Sequence, residues 1–263
     1  MSKDTQALKQ FKILIIGDSC TDIYQFGSCS RLSPEAPVPV LKMSSTKTYN
    51  GMASNVFQNL SALNNEVFLF TQEETITKTR IVEEKFNHHI LRIDSEPRVR
   101  ALNWDKYPGP PIKDFDAFVI SDYDKGFLTD AVIKDLVPFL KSFSKPIFVD
   151  TKKKSLEYFS NCIIKINQEE FERLTCIPHE SNLIVTYGSM GARWNELEFP
   201  AIKTDVFDVC GAGDTFLAGL VDSYLISKSF PSSIEFANKC ASIAVTNFGT
   251  YCLKDEDIEE IRK

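Results

Sequence analysis

Six short apolar runs recur along the chain, with helical patterns between several of them, and this alternation limits the fold more than any other feature. The runs are KILIIGD (12–18), EVFLFT (66–71), AFVISDY (117–123), PIFVDT (146–151), CIIKIN (162–167) and NLIVTYG (182–188). Stretches this short that stay apolar at nearly every position read as strands buried on both faces. Residues 52–64 carry Val56, Phe57, Leu60 and Leu63 near helical spacing, and residues 128–142 carry Leu128, Val132, Ile133, Leu136 and Leu140 in the same way. Alternating strands and helices build a mostly parallel central sheet covered on both faces, a three-layer α/β/α fold.

Five of these runs end near a polar residue: Asp18, Asp122, Asp150, Asn167 and Thr186. In open α/β sheets the ligand crevice lies at the carboxyl ends of the strands, so all five are candidates for one site. Residues 24–49, with Pro34, Pro37 and Pro39, and residues 76–104 fall outside the alternation. They read as extended β structure inserted beside the main sheet, a small β lid on a single domain spanning 1–263. A lone flap of few strands cannot bury a core of its own. One face of the lid is therefore expected to meet a ligand and the other a second subunit, giving a homodimer.

Bulk properties narrow the partner. A net charge of -6 provides no electrostatic footprint for nucleic acid or an anionic membrane, so a small molecule is expected. The seven cysteines are scattered without a C-x-x-C pair and read as cytosolic thiols. No run approaches the ~18 apolar residues of a membrane span, and the start MSKDTQALKQ lacks the apolar core of a signal peptide. Cytoplasmic residence is the expectation. Three histidines, two of them adjacent, argue against a histidine metal site.

The chemistry concentrates in DVCGAGDTFLAGL (208–220). Phe216, Leu217, Leu220, Val221, Tyr224 and Leu225 recur at helical spacing, so Gly211, Ala212 and Gly213 form the entry to a helix of about three turns. The first N–H groups of a helix lack internal partners and can point at an anion, and glycine lets the backbone approach it closely. Asp214 sits beside that anion hole. There a carboxylate can take the proton of an attacking hydroxyl while the amides stabilise charge on a transferred phosphoryl group. No G-x-x-x-x-G-K-[ST] and no G-x-G-x-x-G is present, so neither a P-loop nor a dinucleotide site is expected.

The same run closely resembles the carboxy-terminal signature of ribokinase-like, PfkB-type carbohydrate kinases, in which the last aspartate is the base and the Gly-Ala-Gly amides form the anion hole. Similarity extends over most of the chain, through GDSCTDIYQFGSCSRLSPEAPVPV (17–40), NGMASNVFQNLSAL (50–63), TKTRIV (77–82), LRIDSE (91–96), ISDYDKG (120–126), VDTKK (149–153) and NFGT (247–250). The resemblance implies a ribokinase-like fold and ATP with magnesium as cofactors. Asn167 and Glu170 resemble the N-x-x-E element that organises magnesium, which reaches such a carboxylate through water. On residue grounds alone, Glu170 equally suits a first-turn helix acid. Thr186 and Gly188 resemble the loop that meets nucleotide phosphate and ribose, and Asn247, Gly249 and Thr250 the adenine side. A potassium ion near Asp208 is implied by resemblance only.

On the sugar side, the resemblance points to Asp18, Asp22, Gly51 and Asn55. Carboxylates suit hydroxyl donors, although Asp22 equally suits a turn cap. Lys78, Arg80 and Arg92 are candidates for a distal phosphate, and Asp122, Lys125, Asp150 and Lys152 occupy strand-end loops of the same crevice. RLSPEAPVPV resembles the branch that phosphorylates the anomeric hydroxyl of a heptose 7-phosphate. Several features depart from the pattern. Asn50 replaces the first glycine of a Gly-Gly pair, and Cys210 stands where threonine is usual. The chain is contracted after EVFLFT and between Leu174 and Asn182. A kinase for another sugar or a nucleoside, and a catalytically silent scaffold of the same fold, remain the rival readings.

Overall fold

The computed structural model describes residues 9–262. In chain order the strands are β1 (Lys12–Gly17), β2 (Ser19–Leu32), β3 (Pro39–Met52), β4 (Glu66–Phe70), β5 (Thr77–Glu83), β6 (His88–Ser95), β7 (Ala117–Asp122), β8 (Ile147–Thr151), β9 (Ile163–Asn167), β10 (Asn182–Thr186), β11 (Ala192–Trp194) and β12 (Leu197–Phe199). The helices are α1 (Ala53–Ala62), α2 (Asp130–Lys141), α3 (Gln168–Glu172), α4 (Ala212–Ser227), α5 (Phe230–Val245) and α6 (Asp255–Ile261).

Eight strands form one sheet in the order β12-β11-β10-β9-β8-β7-β1-β4. The six from β4 to β10 run parallel, and β11 and β12 close the edge antiparallel. Successive side chains of a strand point to opposite faces, and the core divides accordingly. Ile13, Ile15, Val119 and Phe148 pack with residues of α1, α4, α5 and α6, whereas Leu14, Ile16, Phe118, Ile120 and Val149 pack with those of α2. That division is the three-layer architecture. Because β1 feeds β4 on one side and has β7 on the other, the strand order reverses at β1, and the carboxyl ends of β1 and β7 open a crevice.

Local chemistry sets several element ends. The Thr129 hydroxyl accepts the Val132 N–H at 3.3 Å and caps α2, so the helix begins two residues later than the apolar spacing suggests. Helix α4 extends over 16 residues, longer than the three turns expected from its entry. It is buried from Asp214 through Asp222, on every side of the helix, as suits an element lodged between the sheet and its neighbours α1 and α5.

The second sheet has the order β3-β2-β5-β6 and springs directly from the end of β1. Its strands begin at Ser19 and end at Ser95, and residues 96–103 contain no strand. Tyr24, Phe26 and Val82 are buried against Tyr49 and Phe248, which ties one face to the loop after α5. On the other side, β6 is exposed along its whole length and Leu32, Met43, Leu91 and Ile93 lie open.

Candidate active site

Everything in the crevice is arranged around the start of α4. Gly211 precedes the helix with φ 76°, a left-handed conformation that disfavours side chains. A Cβ there would also stand 2.6 Å from Asn55 Nδ2 and 3.1 Å from Thr250 Cγ2. Among the described residues, the N–H groups of Gly211, Gly213 and Asp214 have no partner, while that of Ala212 donates to the Val209 carbonyl at 3.3 Å. Three of the four amides at the turn are thus open to an anion, and Gly213 is exposed to solvent.

Asp214 is the third residue of the helix and only 4% exposed. The Tyr123 hydroxyl donates to its Oδ1 at 2.6 Å, and Asn55 Nδ2 donates to its Oδ2 at 3.1 Å. Burial pushes the Asp214 carboxyl up to about 6, reinforced by Asp150 and opposed by the two hydrogen bonds and by Lys165. Burial and the charge of Asp214 hold the Tyr123 phenol protonated, so it remains a donor. The result is a carboxylate that is ionised at neutral pH yet has a strong appetite for a proton.

A layer of opposite charges lies beneath. Lys165 pairs with Asp150 at 2.7 Å, both side chains being buried. Lys152 pairs with Glu170 and lies 5.0 Å from the Tyr123 ring centroid. Burial works against the charge on Lys152, but Asp150 and Glu170 outweigh it and raise its pKa. Asn167 and Glu170 form a capping box at α3: the Asn167 side chain accepts the Glu170 N–H at 2.9 Å and Glu170 Oε2 accepts the Asn167 N–H at 2.8 Å. Asp18 is fully buried and accepts the N–H groups of Tyr123 at 2.9 Å and Lys125 at 3.3 Å. Its Oδ1 has no partner among the described residues.

The remaining sequence candidates are distributed more widely. Asp22 is ion-paired with Arg80, both buried, and a Cβ on Gly51 would collide with Asp22 Oδ2. Lys78 is half-buried on β5, opposite Asp22 in register. Arg92 pairs with Asp94 on the exposed strand β6, and Lys125 with Glu96. Asp122 turns its oxygens to the Thr151 hydroxyl and the Asp124 N–H, and burial lifts its carboxyl to about 6. Asp208 accepts the Cys210 N–H at 2.9 Å and the Gly249 N–H at 3.0 Å, stapling the loop before α4 to the loop after α5. Thr250 is buried on that second loop, and the Asn247 side chain returns to the Ile243 carbonyl at the end of α5. Thr186 and Gly188 line an open cleft of ≈ 280 Å³ together with Asn167.

Two members of the site escaped sequence reasoning. Lys165 is the one charged residue in the run CIIKIN, an interruption that pointed to a buried partner. Tyr123 follows the strand-ending Asp122, where its hydroxyl could be assigned only once α4 had been placed across the sheet.

Comparison with known proteins then decides the family. The model of the pfkB family of carbohydrate kinases matches residues 71–256. The chain belongs to that family. That family consists of carbohydrate kinases. This family member is 31% identical to the bifunctional protein HldE of Nitratiruptor, over 96% of its own length and 65% of that relative's. It therefore spans just under two thirds of that protein. Among solved structures, Arabidopsis thaliana ribokinase complexed with ribose and ATP superposes with a TM-score of 0.71 at 15% identity, covering 97% of this chain and 99% of the other. Escherichia coli phosphofructokinase-2 in complex with potassium gives 0.72 at 15% identity, covering 96% and 98%. At these identities the likeness establishes a ribokinase-like fold.

Proposed function

We propose that the chain transfers the γ-phosphoryl group of ATP in line to the anomeric hydroxyl of a heptose 7-phosphate, D-glycero-D-manno-heptose 7-phosphate, with Asp214 as the base. The observation that carries the phosphoryl-transfer reading is the juxtaposition at α4: a buried carboxylate with a raised pKa beside three unspent backbone amides. The sugar O–H bond breaks as the new O–P bond forms, the proton goes to Asp214, and the bond to the β-phosphate oxygen breaks to release ADP. The Gly211, Gly213 and Asp214 amides offset charge on the transferred group. Asn55 and Tyr123 hold the Asp214 carboxylate in one orientation.

Each oxygen of Glu170 already accepts one bond and keeps a lone pair, which suits a water of hydrated magnesium better than direct ligation. Magnesium brought in with the nucleotide would neutralise phosphate charge. A potassium ion near Asp208 belongs to the same reading, supported by the potassium complex of the phosphofructokinase relative. The heptose assignment rests on RLSPEAPVPV, which forms the tip of the β2–β3 hairpin. Seven free thiols fit a reducing, cytoplasmic setting. The exposed apolar residues of the second sheet support a homodimer through that face, and sedimentation as a monomer at micromolar concentration would remove it.

The test is ADP release against a panel of phosphorylated and unphosphorylated sugars. Turnover confined to heptose 7-phosphate supports the full proposal. Turnover only with unphosphorylated sugars refutes the acceptor, and no turnover despite ATP binding favours a scaffold.

The pH dependence has a defined sign. Asp214 must be ionised to accept a proton, so kcat/KM, which reports the free enzyme, should fall as pH drops through about 6. Stability should move oppositely. The folded pKa is raised above the ordinary 3.8, so between about 4 and 6 the folded chain holds a proton that the unfolded chain has lost, and lowering pH across that window stabilises it through this group. A kcat/KM profile flat from pH 7 to 5 would contradict the assignment.

A further inference from the structure

We propose that Lys165 is a phosphate-contacting residue of this site, donating to an oxygen of the γ-phosphoryl group at the start of α4. The inference rests on the kinase reading and extends it to a residue outside the Gly-Ala-Gly-Asp turn. Lys165 is 3% exposed on β9, and its ammonium is fixed by Asp150 Oδ2 at 2.7 Å. An ammonium carries three donors. Asp150 takes one, and among the described residues no acceptor takes the other two. A Cβ on Gly213 would lie only 2.9 Å from Lys165 Nζ, so the ammonium abuts the first turn of α4. That turn is where the Gly211, Gly213 and Asp214 amides are unspent and where Gly213 meets solvent.

Backbone amides and a buried ammonium with unused donors converge on one point, and their shared complement is an anion bearing several oxygens. A bare counter-charge role would be complete with Asp150 alone. It would not require the ammonium to lie against the helix entry. Asp150 has a further part in this arrangement. It holds the flexible lysine stem in one position, which lowers the ordering cost when phosphate arrives.

The test compares wild type, Lys165→Met, Lys165→Arg and the charge-balanced double variant Asp150→Asn/Lys165→Met. Calorimetry with a non-hydrolysable ATP analogue (AMP-PNP) and with AMP, both with magnesium, reads the contact without turnover. The double variant avoids leaving Asp150 buried and unpaired, so its thermal midpoint should stay near that of wild type. It should bind AMP like wild type and AMP-PNP about tenfold to a hundredfold more weakly, the scale of one lost charge-assisted hydrogen bond. Lys165→Arg should recover part of that loss. A double variant that binds AMP-PNP as tightly as wild type would overturn the proposal and leave Lys165 as the partner of Asp150. Wild-type protein that distinguishes AMP-PNP from AMP but phosphorylates no sugar would defeat the kinase reading while leaving this comparison valid. Wild-type protein that binds both alike would overturn the Lys165 contact.

Discussion

Asp214→Asn is expected to lower kcat for ADP release about 10³-fold while leaving ATP affinity within a few-fold of wild type. The substitution keeps the shape of the side chain and its acceptor toward the Tyr123 hydroxyl, but it removes the lone pair that takes the substrate proton. It also places an amide donor against Asn55 Nδ2, where the carboxylate now accepts. That mismatch costs about one hydrogen bond, ~1 kcal/mol, and is offset by relief of a buried charge. The thermal midpoint should therefore shift little, which separates lost chemistry from lost fold. Retention of more than a tenth of the wild-type kcat would remove Asp214 from the base role.

Arg80→Met should have the largest effect on stability. Asp22 and Arg80 form an ion pair whose side chains are 5% and 11% exposed, so little solvent screens them. Removing the guanidinium strands a carboxylate beneath the second sheet, a change that typically costs about 3–5 kcal/mol. For a chain of this size, that corresponds to a fall in the melting midpoint of roughly 6–15 °C. Arg80→Met/Asp22→Asn should recover most of the loss, because the pair is then replaced by neutral groups. A single variant within about 1 kcal/mol of wild type would mean that water reaches Asp22 once the arginine is gone.

How much of this was readable in advance depends on the range of the interaction. The central strands were legible because burial on both faces leaves continuous apolar runs, and Ile13 to Ile16 or Phe118 to Ile120 cannot serve any other element so well. The entry to α4 was legible because its glycines and aspartate are adjacent in sequence. Its far end was not, since a helix buried on all sides shows no polar stripe to mark where it stops. Strands β2 and β3 each reach 14 residues, far beyond the typical strand, and the polar positions along them obscured that length.

Within the site, single residues were readable and partners were not. Asp150 and Lys165 are 15 residues apart, and Asp22 and Arg80 are 58 apart. The resemblance and strand-end position suggested separate roles for Asp22, Arg80 and Asp150, as acceptors for sugar hydroxyls or as a phosphate donor, and Lys165 had none. The fold joins them into neutralised pairs, and only the chain's path across the sheet determines which charge meets which. RLSPEAPVPV shows the same limit. It carries the acceptor argument, yet it lies about ten strand residues from Asp22, roughly 33 Å along β2.

The parallel pairing of β2 with β5 has a consequence for synthesis. Thr21 lies opposite Thr77, and between them the chain must complete β3, α1 and β4 before the two strands can meet. While a ribosome is still producing residues before 77, the β2–β3 hairpin has no neighbour on its inner edge. Its long edge is then an unpaired template that can capture another nascent strand. Only when residues 77–83 emerge does the chain close that edge on itself.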